Sequence, residues 1–178
     1  MHATAYFALL VAMLICLAGA VTALFGLWRR DASRLVLLER SQTFVTAAVV
    51  LASAILTVAL WRRDFSFVYV AEYTDRLLPL FYAVTAFWAG QAGSLLFWML
   101  TLCLFGLAFV LSPSYKGLAP ATRQAYWMFF LATEAFFLLL LTGPSNPFLE
   151  AVPPVPEGRG LNPLLRNPGM IFHPPLLF

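Results

Sequence analysis

Thr4 to Trp28 reads TAYFALLVAMLICLAGAVTALFGLW, a run without one charged side chain. About 20 apolar residues in a helix cross the hydrocarbon core of a bilayer, and this run exceeds that. In lipid a segment must satisfy its own backbone hydrogen bonds, so the run predicts a transmembrane helix. It is too long for the apolar part of a secretory signal, and MHATAYFALL carries no basic leader, so the helix is expected to stay in place. Working outward, Ser41–Trp61, Ser94–Leu111 and Gln124–Thr142 meet the same test. A fifth apolar segment opens at Pro174 and is cut at Phe178. A helix stopped there would leave carbonyls unsatisfied in lipid, so the chain is expected to be a fragment or one piece of a split protein. The expected fold is all-α: a polytopic membrane helical bundle with about four complete transmembrane helices plus the start of a fifth. The spans are 4–28, 41–61, 94–111, 124–142 and 174–178, with a long loop at 143–173.

Composition agrees. Charged residues make up 11% of the chain and hydrophobic ones 62%, against about 25% charged in soluble domains. The net charge of +3 is scattered, with no basic run interleaved with aromatics, so no nucleic-acid partner is expected. Cys16 and Cys103 both fall inside apolar runs and form no Cys-x-x-Cys pair. They read as small packing residues rather than a disulfide framework.

Loop charge gives an orientation. Arg29, Arg30, Arg34, Arg40, Lys116 and Arg123 fall on one side by parity of the spans, against Asp31 and Glu39. Arg62, Arg63, Arg76, Arg159 and Arg166 fall on the other, spread over longer loops and matched by Asp64, Glu72, Asp75, Glu150 and Glu157. The positive-inside rule puts the first side in the cytoplasm and the N-terminus and loop 143–173 outside. Trp28, Trp61 and Trp127 lie near expected span ends, where indoles anchor. The run PLFYAVTAFW, Pro79–Trp88, is too short to cross. It reads as an interfacial helix, a re-entrant segment or an extension of the third span.

Glu134 lies inside the fourth span. An intramembrane carboxylate is costly and faces protein or water. The functional reading is a proton or cation site. The structural reading, which we favour, is a neutral acid bonded to another helix or to a serine such as Ser53. No nucleophile elbow, phosphate-binding loop, dinucleotide fingerprint or zinc cluster is present in the sequence.

That leaves Pro153 to Phe178, PPVPEGRGLNPLLRNPGMIFHPPLLF, a Pro/Gly-punctuated loop leading into a new apolar segment. His173 stands at the junction, before Pro174 and Pro175, which suit the first turn of a helix. An imidazole there can ligate haem iron; it can equally cap or solvate the loop. His2 sits in a terminus expected to fray.

A resemblance bears on this choice. Gly160–Phe178, GLNPLLRNPGMIFHPPLLF, resembles a signature of the CcmF family, the haem lyase subunits of bacterial and plant-mitochondrial cytochrome c maturation. SNPF at Ser145–Phe148 and WAGQAGSLLFW at Trp88–Trp98 resemble two further family elements, in matching order and spacing. The similarity covers the whole chain as the family's N-terminal portion; the related NrfE proteins of nitrite reductase maturation share these elements.

The resemblance implies a function. Such proteins take haem from the chaperone CcmE and act with CcmH- and CcmI-type subunits. Together they attach the haem through thioether bonds to the Cys-x-x-Cys-His motif of apocytochrome c. The haem, b-type and non-covalent, is held at the outer face under a Trp-rich WWD segment between two loop histidines. His173 falls on the first of these, as axial ligand to the haem iron. Arg166, in the same loop, either pairs with a haem propionate or is a solvated arginine. The second histidine and the WWD segment belong to the remainder of the family's chain, beyond Phe178. The implied setting is the bacterial inner membrane, multi-pass, with loop 143–173 in the periplasm. The implied role is a subunit or fragment of a holocytochrome c synthase, not active alone. One departure stands out: Gln91 and Ala92 occupy positions where the family carries His and Glu. The competing functions are a polytopic transporter using Glu134 and a structural assembly subunit without haem.

Overall fold

The computed structural model describes residues 1–153, 155–167, 169 and 171. Among them the chain forms α1 His2–Arg29, α2 Leu35–Arg62, α3 Val68–Tyr73, α4 Leu80–Thr85, α5 Gln91–Leu111, α6 Pro113–Lys116 and α7 Pro120–Thr142. Two 3₁₀ turns cover Ala86–Trp88 and Pro163–Arg166. Helices α1, α2, α5 and α7 are long and apolar enough to cross a membrane. The architecture is therefore the all-α, multi-pass membrane bundle that the sequence predicts. The segment opening at Pro174 lies outside the described residues.

The four long helices close a ring: α1 packs on α7 and α2, α2 on α5, and α5 on α7. The buried positions of α1 are Ala5, Leu9, Ala12, Cys16, Gly19 and Ala23. They step by four and three, the seam that lets one helix lie along another at a shallow angle. Most are small, which brings the backbones close. A Cβ added at Gly19 would sit 2.6 Å from Leu131 Cδ1. Helix α7 answers with Gln124, Trp127, Leu131, Glu134, Leu138 and Leu141 on its buried face. Large apolar residues such as Phe7, Leu14, Val21 and Phe25 face outward from α1, as a lipid-solvated flank requires.

Helices α1 and α2 end on the same tetrapeptide, Trp-Arg-Arg-Asp, at Trp28–Asp31 and Trp61–Asp64. In each the second arginine turns left-handed, with φ 53° at Arg30 and at Arg63. In each the aspartate N–H reaches back to the helix, to Gly26 O at 2.8 Å and to Ala59 O at 3.0 Å. That pattern satisfies helix-end carbonyls. Each aspartate carboxylate then accepts an N–H two residues on, from Ser33 and from Ser66.

Several expectations are corrected. Helix α2 starts at Leu35, so Glu39 and Arg40 are helical rather than loop. Their charge suggested a loop, but Glu39 accepts from Tyr115 Oη at 2.6 Å and pairs with Arg123 at 3.8 Å. Trp127 is no interfacial anchor. It is fully buried and donates its Nε1–H to Tyr115 Oη at 2.7 Å, because α7 begins a full two turns before it. Trp28 and Trp61 do lie exposed near helix ends. Pro79–Trp88 does not extend α5, because Gly90 is extended (φ −120°, ψ 166°) and breaks the helix.

Gly93, in the first turn of α5, carries the tightest approach at this end. A Cβ there would lie 1.8 Å from Phe87 O and 2.2 Å from Tyr69 Oη. Tyr69 Oη is held at 3.0 Å from both Ala86 O and Phe87 O and accepts the Gly90 N–H at 3.1 Å. Gly93→Ala is expected to cost about 1–3 kcal/mol through overpacking. It should lower the thermal midpoint of purified protein. Gly117→Ala, whose nearest atom would be 3.6 Å away, should leave the midpoint unchanged. Equal effects of the two would contradict this packing.

Candidate functional site

Four structures meet at the end of the bundle opposite the α1–α2 turn: the N-terminus, α3, the α4 region and the loop after α7. His2 begins the assembly. Its Nδ1–H donates to Phe148 O at 3.2 Å, its Nε2 lies 3.0 Å from Ser66 Oγ, and its ring stacks on Phe67 at 3.6 Å. The N-terminus is therefore tethered, not frayed, and this imidazole has neither nitrogen open to a metal. Phe67 and Glu150 form an antiparallel bridge, flanked by Val68 N–H to Leu149 O and Ala151 N–H to Ser66 O.

The loop then lies across the α3–α4 turn. Arg159 N–H donates to Ala71 O at 2.7 Å and Gly160 N–H to Thr74 O at 3.1 Å. Gly160 has φ 83°, and a Cβ there would meet Asp75 Oδ2 at 2.5 Å, so glycine is required on both counts. Arg76 pairs with Glu157 at 3.3 Å. Asp75 accepts the N–H groups of Leu77 and Leu78 at 2.8 and 2.6 Å, which closes the turn.

The three sequence elements singled out above converge here. Trp88 Nε1–H donates to Ile171 O at 3.1 Å, tying the first element to the last. A recess of about 260 Å³ is lined by Gln91 and Ala92 together with Ser145 and Asn146, tying the first to SNPF. Its carboxylate is Glu72, from α3. Within SNPF, Asn146 Oδ1 accepts the Phe148 N–H at 2.8 Å and fixes the turn. Beside it, Tyr69 is pushed above the usual phenol range, chiefly by burial.

Of the proposed site residues, Arg166 ends the 3₁₀ turn Pro163–Arg166 and lies half exposed, 3.7 Å from Asp75 Oδ2. It borders a recess of about 380 Å³ with Leu77, Leu78 and Glu157. His173 lies outside the described residues. Ile171, two positions before it, is buried and held by Trp88.

A second polar cluster lies inside the bundle and takes one side chain from each long helix. Glu134 of α7 is fully buried. Gln42 Nε2–H of α2 donates to Glu134 Oε1 at 2.7 Å. Cys103 Sγ of α5 lies 3.3 Å from the same oxygen, and Cys16 Sγ of α1 lies 3.7 Å from Oε2. Thr46 completes the layer by donating to Gln42 O at 2.8 Å. The expected bond to another helix is thus present, while Ser53, the serine given as an example, is not among the partners; it stands eleven residues along α2, about 16 Å nearer the other end. It borders an apolar groove of about 350 Å³ between α2, the α4 region and α5. Gln42 escaped the sequence reading because it fell at the assumed start of a span. The available signal was Gln42 and Thr46, four apart and so on one face, inside an otherwise apolar run. Among the described residues Glu134 has no cationic partner and no group of three or more ligating side chains suits a metal.

No family model matches the chain. It is 34% identical over 98% of its length to the cytochrome c-type biogenesis protein ccl1 of Rhodobacter capsulatus. It is 36% identical over 96% of its length to CcmF of Escherichia coli, and 40% identical over 74% to a probable NrfE of the same organism. These alignments cover 26%, 26% and 24% of the relatives, so the chain spans about a quarter of their length. A solved structure of cytochrome c haem lyase CcmF superposes with a TM-score of 0.79 at 23% identity, covering 99% of this chain and 27% of that one. With its helices arranged as in that fold, and its sequence aligned nearly from end to end with ccl1 and CcmF, the chain belongs with the cytochrome c-type biogenesis proteins named CcmF and NrfE.

Proposed function

We propose that this chain supplies part of a haem lyase of cytochrome c maturation. In this reading it holds haem at the outer face of the bacterial inner membrane, for thioether attachment to apocytochrome c. The observation that carries the reading is the Trp88–Ile171 hydrogen bond. It anchors the loop to the bundle two residues before His173. A ligand must be held on rigid support to keep a metal centre in one geometry.

Haem brings an iron that needs an axial ligand, two propionates that need cations, and vinyl groups that become the thioethers. The described residues offer cations on this platform, Arg159 and Arg166, both exposed. Arg166 is already paired with Asp75, so a propionate would share its planar fork of five donors. His2 is committed to Phe148 and Ser66. The iron ligand proposed is His173, as the resemblance implies. Haem delivery by CcmE, action alongside CcmH- and CcmI-type subunits, and completion of the site by the remainder of a CcmF-like chain, including its WWD segment, are parts of the same proposal.

Orientation tests it. The labelling sites are Ser33, exposed in the α1–α2 turn, and Val152, 84% exposed in the loop. The native thiols, Cys16 and Cys103, are fully buried and should not react. A membrane-impermeant maleimide added to intact spheroplasts should modify Val152→Cys and spare Ser33→Cys. Modification of Ser33→Cys alone would place the loop in the cytoplasm and end the outer-face reading.

A further inference from the structure

The repeated Trp-Arg-Arg-Asp ending is used differently at the two ends of the bundle. At the end of α2 the second arginine, the counterpart of Arg30, is committed: Arg63 Nη2–H donates to Leu78 O at 2.6 Å. At the end of α1, Arg29 and the nearby Arg34 have no carboxylate within ion-pair distance among the described residues. Both border a recess of about 400 Å³ whose other walls include Val21, Phe25, Gly26 and Gln124. Gly26 lets Gln124 pack directly on the α1 backbone and form one wall: a Cβ there would collide with Gln124 Nε2 at 1.8 Å. The Gln124 amide is itself committed to Asp31 O at 2.9 Å.

The recess has an amphipathic wall at the end of the apolar run of α1. Val21 and Phe25 are 50% and 51% exposed, and they continue the outward flank of α1 through Leu17 and Leu14. Trp28 is 76% exposed beside them, where indoles mark the headgroup level. Asp31 stays charged inside the rim. The Ser33 N–H at its carboxylate holds it below the usual range, with Arg34 and then Arg29 contributing. Two guanidiniums and one carboxylate leave a single positive charge.

A ligand matched to this surface carries one negative charge, a polar head and aliphatic tails. We propose that the recess binds an anionic phospholipid, its phosphodiester between Arg29 and Arg34 and an acyl chain along Phe25, Val21 and Leu17. Basic recesses beside spanning helices suit such headgroups, and each basic residue near the surface contributes appreciably to their binding. The site lies at the opposite end from the His173 loop and does not depend on the haem reading.

The test uses the full chain in vesicles of phosphatidylcholine, with or without phosphatidylglycerol. Phosphatidylglycerol should raise the thermal midpoint of the wild type and co-purify with it, as read by native mass spectrometry. Affinity should fall about fivefold for each arginine removed, so Arg29→Gln/Arg34→Gln should lose both effects. Arg40→Gln, at the same end but outside the recess, should behave as wild type. If the double variant does not accumulate, Arg34→Gln alone, at an exposed loop position, decides the matter by the same readouts. An unchanged phosphatidylglycerol response in the arginine variants would overturn the proposal. So would an equal rise from inorganic phosphate in pure phosphatidylcholine, which would mark a simple anion site.

Discussion

Glu134→Ala is expected to destabilise the bundle by about 2–4 kcal/mol, while Glu134→Gln should stay within about 1 kcal/mol of wild type. The asymmetry follows from the cluster. Glu134 gathers Gln42, Cys16 and Cys103, one group from each of the other three long helices. A single hydrogen bond between membrane helices is worth little, on average about 0.6 kcal/mol. The larger loss comes from leaving the fully buried Gln42 amide with only a long contact to Thr46 Oγ1, at 3.4 Å, about 1–3 kcal/mol, and from the cavity that alanine creates. Glutamine keeps the shape and an acceptor oxygen. Lysine would put an unpaired cation among an amide and two thiols, and should prevent accumulation of the protein. Thermal unfolding in detergent, with cytochrome c yield in cells, reads both aspects. If Glu134→Gln abolished maturation at normal protein level and stability, the carboxyl would be acting through charge or a proton, and the structural role would fail.

His173→Ala is expected to cut holocytochrome c by about tenfold or more without lowering the amount of inserted protein. A neutral imidazole offers iron a lone pair; alanine offers nothing. The four long helices pack on one another, so replacing one side chain of the loop is expected to leave them inserted. His173→Cys should retain some haem through a thiolate, with a shifted spectrum and potential. Arg166→Gln should matter far less, because Arg166 is half exposed and already answered by Asp75, and exposed pairs contribute about 0–1 kcal/mol. Full holocytochrome c yield from His173→Ala would reduce His173 to a loop residue.

The four crossings were legible because lipid imposes one demand on every one of them, a continuous apolar run that satisfies its own backbone. Their ends were less so. Glu39 and Arg40 looked like loop because a charge near a span usually lies outside it, yet a buried-end network of Tyr115, Arg123 and Trp127 extends the helix past that point. Burial and the bond to Glu39 keep the Tyr115 phenol protonated as the donor. Glu134 was expected to bond to another helix or to a serine such as Ser53, and the partner is Gln42 of α2. Selecting Gln42 required knowing how α2 slides against α7, which no periodicity within one helix contains. The two thiols read correctly as buried, but their place beside Glu134 depended on the ring order of helices. At the other end the three motif segments were visible as sequence. Their convergence was not, since it rests on single hydrogen bonds between residues 83 apart in sequence, as for Trp88 and Ile171.

His173 in this loop is the proposed iron ligand, and haem absorption reads that claim without an intermediary. The protein should be purified with the partners it assembles with, in wild-type and His173→Ala forms, and the spectrum and haem content compared before and after adding imidazole. The alanine variant should lose most of its haem, and free imidazole, supplying the missing ligand, should restore part of it with a wild-type-like spectrum. An alanine variant with the same haem content and the same spectrum as wild type, indifferent to imidazole, would contradict the claim.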